Sequence, residues 1–145
     1  MSFLKTHFKR ALRDRGASAA VEFALVFPIG LIFFCGLMAY GLYFSVANSV
    51  QQLAADAARA SVGGLDDAER VNIARAHVAS SGGSYPLLNL NRITVSAQPL
   101  AADPAQFQVR IAFDSGELPI WVFSGLIPLP NKTIERTAII SRGGF

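Results

Sequence analysis

The fold of this chain is decided by residues 15–47, which read RGASAAVEFALVFPIGLIFFCGLMAYGLYFSVA. From residue 23 to residue 55 no side chain is charged, and a bilayer core needs only about 20 apolar residues in helical form. The sequence therefore predicts a transmembrane helix. Glu22 stands at the front of this run, where a carboxylate is costly unless it lies at the interface, is protonated or has a partner. Glu22 is either a residue resting among lipid headgroups or a group that pairs with something at the helix start.

Length and composition limit the rest of the chain to one small domain. The chain has 145 residues, of which 52% are hydrophobic and 16% charged. These proportions suit a single-span membrane protein better than a disordered one. About 90 residues remain outside the membrane segment, enough for one modest core. The single cysteine, Cys35, lies inside the apolar run, so no intramolecular disulfide forms and a catalytic thiol is not expected there.

Positive charge is concentrated at the start of the chain and indicates orientation rather than a nucleic-acid partner. The net charge is +3, and the basic residues that precede Glu22 are Lys5, Lys9, Arg10, Arg13 and Arg15. Basic flanks stay in the cytoplasm, so we expect a cytoplasmic N-terminus and an exported C-terminal domain. A cleaved secretory signal is the alternative, but its small residues follow a short apolar core. Here the small residues 16–20 come first, which favours an uncleaved anchor or a leader removed on the cytoplasmic side.

Three segments follow one another along the chain. Residues 1–16 form a basic leader or an amphipathic cytoplasmic segment on the inner leaflet, two interpretations that the pattern leaves open. Residues 17–62 are predicted to form the transmembrane helix and, beyond it, a helical stalk. Within this helix Tyr40 and Tyr43 match an outer aromatic belt, and Gly63 and Gly64 are expected to end it. Residues 65–145 are expected to be the exported α+β domain.

A stripe of small residues runs along the predicted helix at a spacing of four. It consists of Gly41, Ser45 and Ser49. In a membrane helix such a stripe permits the close approach of a second helix. Chance is the other explanation, because this segment is rich in small residues throughout.

The exported domain is predicted to combine one further helix with an antiparallel sheet. Asp66 or Asp67 can cap a helix that runs through about Ala79, and residues 80–86 form a loop on composition. Alternating apolar residues predict strands at 93–97, 107–113 and 134–140. We expect the last two strands to pair antiparallel and to pack on the second helix or on the membrane-distal stalk.

An apolar insert, defined as residues 116–130, separates the last two predicted strands. Its three prolines argue against a central strand. One interpretation is a turn or short helix that covers the core. The other is a surface that dips into the outer leaflet or contacts a partner, as exposed apolar patches do. The residues predicted to make that contact are Trp121, Phe123 and Leu126.

The residue pattern contains no recognisable catalytic, metal or cofactor site. His7 and His77 fall in different compartments on the predicted topology, and no His, Cys or carboxylate pair has metal-site spacing. No glycine-rich phosphate loop follows a strand, and no serine stands in a nucleophile elbow. We therefore expect a protein without a cofactor that is not an enzyme.

Residues 15–28, RGASAAVEFALVFP, resemble the opening of TadE-like proteins, the pseudopilins or minor pilins of the bacterial tight-adherence (Flp) pilus machinery. The resemblance implies that a prepilin peptidase removes the leader at Gly16 or Ala17. It also implies that Glu22 neutralises the free amine of a neighbouring subunit. Family members carry this Glu at the fifth mature position. Cleavage after Gly16 makes Glu22 the sixth mature residue, and cleavage after Ala17 makes it the fifth.

The function expected from this resemblance is structural. It implies a single-pass protein of the bacterial inner membrane that contacts lipid and other pilin or pilus-assembly subunits, in a system for secretion and cell adhesion. Whether such a protein enters the fibre or stays at its base is left open. The alternative is an unrelated single-span membrane protein whose exported domain binds a ligand or partner. Neither hypothesis involves a nucleic acid.

Overall fold

The computed structural model describes residues 15–141, apart from the side chains of Arg15 and Ala17. The predicted basic leader lies almost wholly outside these residues and stays a prediction. Helix α1 spans Arg15–Ser61 and helix α2 spans Asp67–Ser81. Strands β1, β2 and β3 span Ile93–Leu100, Asp103–Asp114 and Thr133–Ser141, and short 3-10 helices lie at Gly82–Ser84, Leu90–Arg92 and Pro119–Phe123. A long apolar helix, one further helix and a three-stranded antiparallel sheet confirm the predicted α+β fold.

The chain divides into two compact units, Met1–Ala39 and Tyr40–Phe145. In the first unit, residues 18–34 of α1 are all exposed. Of the residues that the structure describes, Ser18–Ser61 form one helix that is long and apolar enough to cross a membrane, and its most apolar window is wholly unburied. This is compatible with a single-pass membrane protein.

In the second unit the same helix has a buried face. Its buried residues recur at spacings of three and four, which places them on one side of a helix. They are Val46, Ala47, Val50, Leu53, Ala54, Ala57, Ala58 and Ser61. The stretch predicted as a stalk therefore supplies one side of the core of this unit.

The sheet has the strand order β1-β2-β3 with antiparallel neighbours. Phe107 lies opposite Ile140 and Phe113 lies opposite Ile134, so the predicted pairing of residues 107–113 with 134–140 is confirmed. Alternate residues of β2 are buried, as a strand with one covered face requires. They are Phe107, Val109, Ile111 and Phe113. This face and the buried face of α1 form the core of the unit.

Helix α2 begins at the carboxylate expected to cap it. The Asp66 side chain accepts a hydrogen bond from the Glu69 backbone N–H at 2.7 Å, and the Glu69 carboxylate accepts one from the Leu65 N–H at 2.7 Å. This reciprocal arrangement satisfies two backbone donors at the helix start. The helix ends at Ser81 instead of Ala79. A 3-10 turn then occupies part of the segment predicted as a loop.

Helix α1 ends at Ser61, just before Gly63 and Gly64 as predicted, and Gly64 has a second role. No described glycine has a positive φ, so Gly63 and Gly64 do not end α1 through the left-handed conformation. A Cβ on Gly64 would lie 2.9 Å from the Arg70 backbone N, whereas a Cβ on Gly63 would meet nothing closer than 3.9 Å. Gly64 is therefore needed for the close approach of the α2 backbone.

Candidate functional site

The apolar insert is closed at its base by Ser115 and Lys132. The backbone N–H and the Oγ of Ser115 both donate to the Lys132 carbonyl oxygen, at 2.8 and 2.6 Å. The Leu118 N–H donates back to the Ser115 carbonyl at 2.9 Å. Because Ser115 is wholly buried, these bonds exchange little with water, and they hold the ends of the insert together at the edge of the sheet.

One side of the insert covers the core, as the first interpretation predicted. Pro119 starts the 3-10 helix, where its missing N–H costs nothing. Leu118 and Ile120 are buried. The half-buried Trp121 donates from Nε1 to the Ser115 carbonyl at 2.5 Å, and the Lys132 ammonium lies 5.5 Å from its ring centre.

The other side of the insert is exposed and apolar. Val122 is 80% exposed and Leu126 is 63% exposed, whereas Phe123 is only half-buried. Of the three residues predicted for a contact, Leu126 is thus the most accessible, and the prediction missed Val122. A signal for Val122 was present in the sequence. Val122 lies three residues after Pro119, and residues three apart share a face in a 3-10 helix.

Two tyrosines of α1 contact the C-terminal end of the insert and the residue that follows it. The Tyr40 hydroxyl donates to the Pro128 carbonyl at 2.6 Å, and the Tyr43 hydroxyl makes a longer contact of 3.4 Å with the Asn131 carbonyl. The predicted aromatic belt residues therefore hold the insert beside one turn of α1.

The small-residue stripe remains uncovered by the part of the chain that the structure describes. Gly41 and Ser45 are exposed and Ser49 is half-buried. A Cβ on Gly41 would meet no described atom within 4 Å. Ser49 Oγ donates to the Ser45 carbonyl at 3.1 Å, so its hydroxyl is satisfied within the helix. The stripe is accessible to a second helix, and its use in packing stays a prediction.

The residues predicted for processing and pairing lie in the exposed first unit. Gly16 is exposed and has no described neighbour around its Cβ position. Ala17 belongs to α1, which begins at Arg15. The Glu22 side chain is exposed, and no hydrogen bond or ion pair joins it to any residue within 15–141. Its carboxylate is therefore accessible to a group outside the described residues.

A charged cluster joins the start of β1 to the base of the insert. Arg92 contacts Asp114 at 2.7 Å and Glu117 at 2.5 Å, in an open hollow also lined by Asn89, Asn91 and Thr94. The hydrogen bond that Arg92 donates to Glu117 raises the pKa of Arg92 above its ordinary value. Sequence analysis did not identify this cluster, because its members come together only through the pairing of β1 with β2. Within residues 15–141 no group of three or more His, Cys, Asp or Glu could hold a metal ion.

These features define a class of protein with one long apolar helix and one small α+β unit built on the end of that helix. Comparison with known families refines the class. The sequence model of the TadE-like protein family matches residues 17–59, which cover nearly all of α1. The match confirms the resemblance to TadE-like proteins and indicates a protein associated with the Tad pilus system. No curated protein and no solved structure matches the chain.

Proposed function

We propose that this protein is a pseudopilin-like structural component of a Tad (Flp) pilus assembly system. It is anchored in the inner membrane with its N-terminus in the cytoplasm and its α+β unit outside. One observation carries the proposal: the TadE-like match at residues 17–59 falls on a helix whose residues 18–34 are all exposed and which has a buried face from Val46 onward. Such a helix is both a membrane anchor and the scaffold of the exported unit.

The protein acts in this proposal through packing and charge pairing, and not through catalysis. The exposed run of α1 packs against helices of other pilin or pilus-assembly subunits. Glu22 then pairs with an amine or another basic group at the start of a neighbouring helix. Such a pair is stronger away from water than at a solvated surface, because the effective dielectric constant is lower there.

Deletion of the coding sequence tests the proposed function. We expect the deletion to abolish or strongly reduce surface pili, counted by electron microscopy, and the full chain to restore them. Normal piliation in the deleted strain would contradict the proposal. A variant whose α1 is replaced by an unrelated apolar span separates anchoring from assembly: it should insert into the membrane but fail to restore pili.

Intact-mass measurement tests the proposed processing of the leader. Protein extracted from its native membrane should have lost the residues before Ala17 or before Ser18, and the two masses differ by one alanine. A strain without its prepilin peptidase should yield the full-length mass. Full-length protein in a piliated strain would contradict leader removal without affecting the structural role.

A further inference from the structure

We propose that the apolar insert is a second membrane contact, whose exposed side lies in the outer interface of the bilayer that α1 spans. The partner is therefore the lipid itself. The inference rests only on the membrane-spanning part of the proposed function and holds whether or not the protein enters a fibre. It begins with Val122 and Leu126, two large aliphatic side chains that are more than half exposed to solvent.

The height of the insert relative to the membrane follows from its attachment to α1. A span that starts near Glu22 crosses about 30 Å in about 20 residues at 1.5 Å each, and so ends close to Tyr40 and Tyr43. Pro128 of the insert accepts a hydrogen bond from the Tyr40 hydroxyl, and the Tyr43 hydroxyl lies 3.4 Å from the carbonyl of Asn131, the residue that follows the insert. Wherever the tyrosines meet the interface, the insert meets it too.

The composition of the insert suits the boundary between headgroups and acyl chains. No residue from 118 to 131 is charged, and the first charge after it is Lys132. Its exposed aliphatic side chains are those of Val122 and Leu126, while Trp121 already has a partner for its indole N–H. Tryptophan and a lysine that reaches past it to the phosphates are typical interfacial anchors. The ammonium of Lys132 lies beside the Trp121 ring, where both can face the headgroups together.

Exposed apolar surfaces also bind proteins, but the position of Val122 and Leu126 in this chain favours lipid. The insert is bound to Tyr40, close to the residue at which a span that starts near Glu22 ends, so it meets the interface when the protein is inserted. No second chain has to be recruited. A protein partner would shield Val122 only when that protein is present, which the experiment below detects.

Single labelled cysteines in the full-length protein, reconstituted into phosphatidylcholine–phosphatidylglycerol vesicles, test the inference. In a Cys35→Ser background, Val122→Cys and Leu126→Cys carry a polarity-sensitive fluorophore. Phe33→Cys, which is 74% exposed on the apolar run, is the lipid-facing reference. Leu65→Cys and Ile139→Cys, at 90% and 52% exposure, are the water-facing controls. All five native side chains are large and apolar, so the variants differ in position and not in chemistry.

We expect labels at 122, 126 and 33 to show blue-shifted emission and quenching by lipid-borne nitroxide. Labels at 65 and 139 should instead be quenched by aqueous iodide. Water-like emission at 122 and 126 with lipid-like emission at 33 would overturn the membrane contact while leaving the span intact. Water-like emission at all three positions would reject the span as well. Shielding at 122 that requires added pilus proteins would identify a protein partner and overturn the proposal.

Trp121 provides a second readout without a label, because it is the only tryptophan of the chain. Brominated lipid should quench its fluorescence in the native protein. The double variant Val122→Asp/Leu126→Asp should lose most of that quenching at an unchanged circular dichroism spectrum, whereas Leu65→Asp should keep it. Equal quenching in the two variants would contradict the proposal.

Discussion

Two residues illustrate how single side chains constrain this protein from opposite directions. Glu22 is exposed and has no partner within residues 15–141, so any requirement for its charge comes from outside the described chain. Gly64 is buried, and its missing side chain is what lets Arg70 approach. Substitution at Glu22 should therefore affect assembly and spare folding, whereas substitution at Gly64 should affect folding.

Glu22→Gln should leave membrane insertion and protein level unchanged, because a neutral amide is no harder to insert than a carboxylate. If Glu22 pairs with a basic group, the variant should lose pili and crosslinks to partner subunits. Glu22→Asp, which keeps the charge, is the matched control and should retain part of both. Normal piliation in Glu22→Gln would return Glu22 to the role of a headgroup residue.

Gly64→Ala should destabilise the exported unit by about 1–3 kcal/mol, the usual cost of overpacking. The added methyl would collide with the Arg70 backbone, which cannot move aside as a flexible side chain can. Gly63→Ala is the matched control and should be neutral or slightly stabilising, because its position is open and its φ is not positive. Denaturant unfolding in detergent, followed by Trp121 fluorescence, measures both. Equal stability of the two variants would be inconsistent with the role of Gly64.

At the scale of elements, residues 18–34 of α1 are exposed, whereas its second half has a buried face within the α+β unit. The loop after α2 is linked to α1 because Tyr85 donates to Asp56 Oδ2 at 2.7 Å. The other oxygen of this carboxylate accepts from Arg59 at 2.6 Å. The hydrogen bond from Tyr85 to Asp56 raises the pKa of Tyr85 above its ordinary value, and burial adds to the effect.

Tyr85→Phe should lower the stability of the unit by about 1 kcal/mol at neutral pH, because it removes a hydrogen bond to a charged but partly exposed acceptor. The raised pKa adds a pH dependence. The folded state holds the phenolic proton more tightly, so this contribution is complete below about pH 10 and is lost as pH rises through the folded pKa. Unfolding measured between pH 8 and pH 11 should show the difference between wild type and Tyr85→Phe shrinking at the alkaline end. A constant difference would argue against this linkage.

The two faces of the sheet should respond differently to the same substitution. Ile111→Ala in β2 removes a wholly buried side chain and should cost about 2–5 kcal/mol. Ile139→Ala in β3 removes a side chain that is 52% exposed, and it should change stability by less than about 1 kcal/mol. Chemical unfolding of the pair measures the contrast. Similar losses would show that the second face of the sheet is also covered.

At the scale of the whole molecule, the distribution of charge sets the orientation. The basic residues cluster before Glu22, and the apolar run that follows has no comparable cluster at its far end. The positive-inside rule then predicts that the N-terminus stays in the cytoplasm. Which leaflet the insert contacts depends on this orientation, whereas its contact with the bilayer depends only on the span.

A reporter fused after Phe145 tests that orientation in the living cell. Alkaline phosphatase, which is active only outside the cytoplasm, should be active in the fusion, and a cytoplasmic reporter at the same site should be silent. Replacing the basic residues before Glu22 with neutral ones should reduce the phosphatase signal. Activity of the cytoplasmic reporter alone would reject the topology.

Local pattern was sufficient for the elements of this protein. Charge-free length indicated the apolar helix, period-two alternation indicated β2, and a capping carboxylate at Asp66 or Asp67 indicated the start of α2. Each of these signals involves residues that are close together in the sequence, so it can be read without knowledge of the tertiary structure. The resemblance carried by residues 15–28 likewise needed only a contiguous motif, and the family match at residues 17–59 confirmed it.

Long-range contacts decided the rest. That the predicted stalk forms the core, that Tyr40 holds Pro128 across 88 residues of chain, and that Val122 faces outward are results of tertiary packing. The Arg92 cluster likewise exists only because β1 and β2 pair. A residue's periodicity reports which side of its own element is apolar, but it does not report which distant surface covers that side. The tertiary structure therefore decided which apolar residues became core and which stayed available to the membrane.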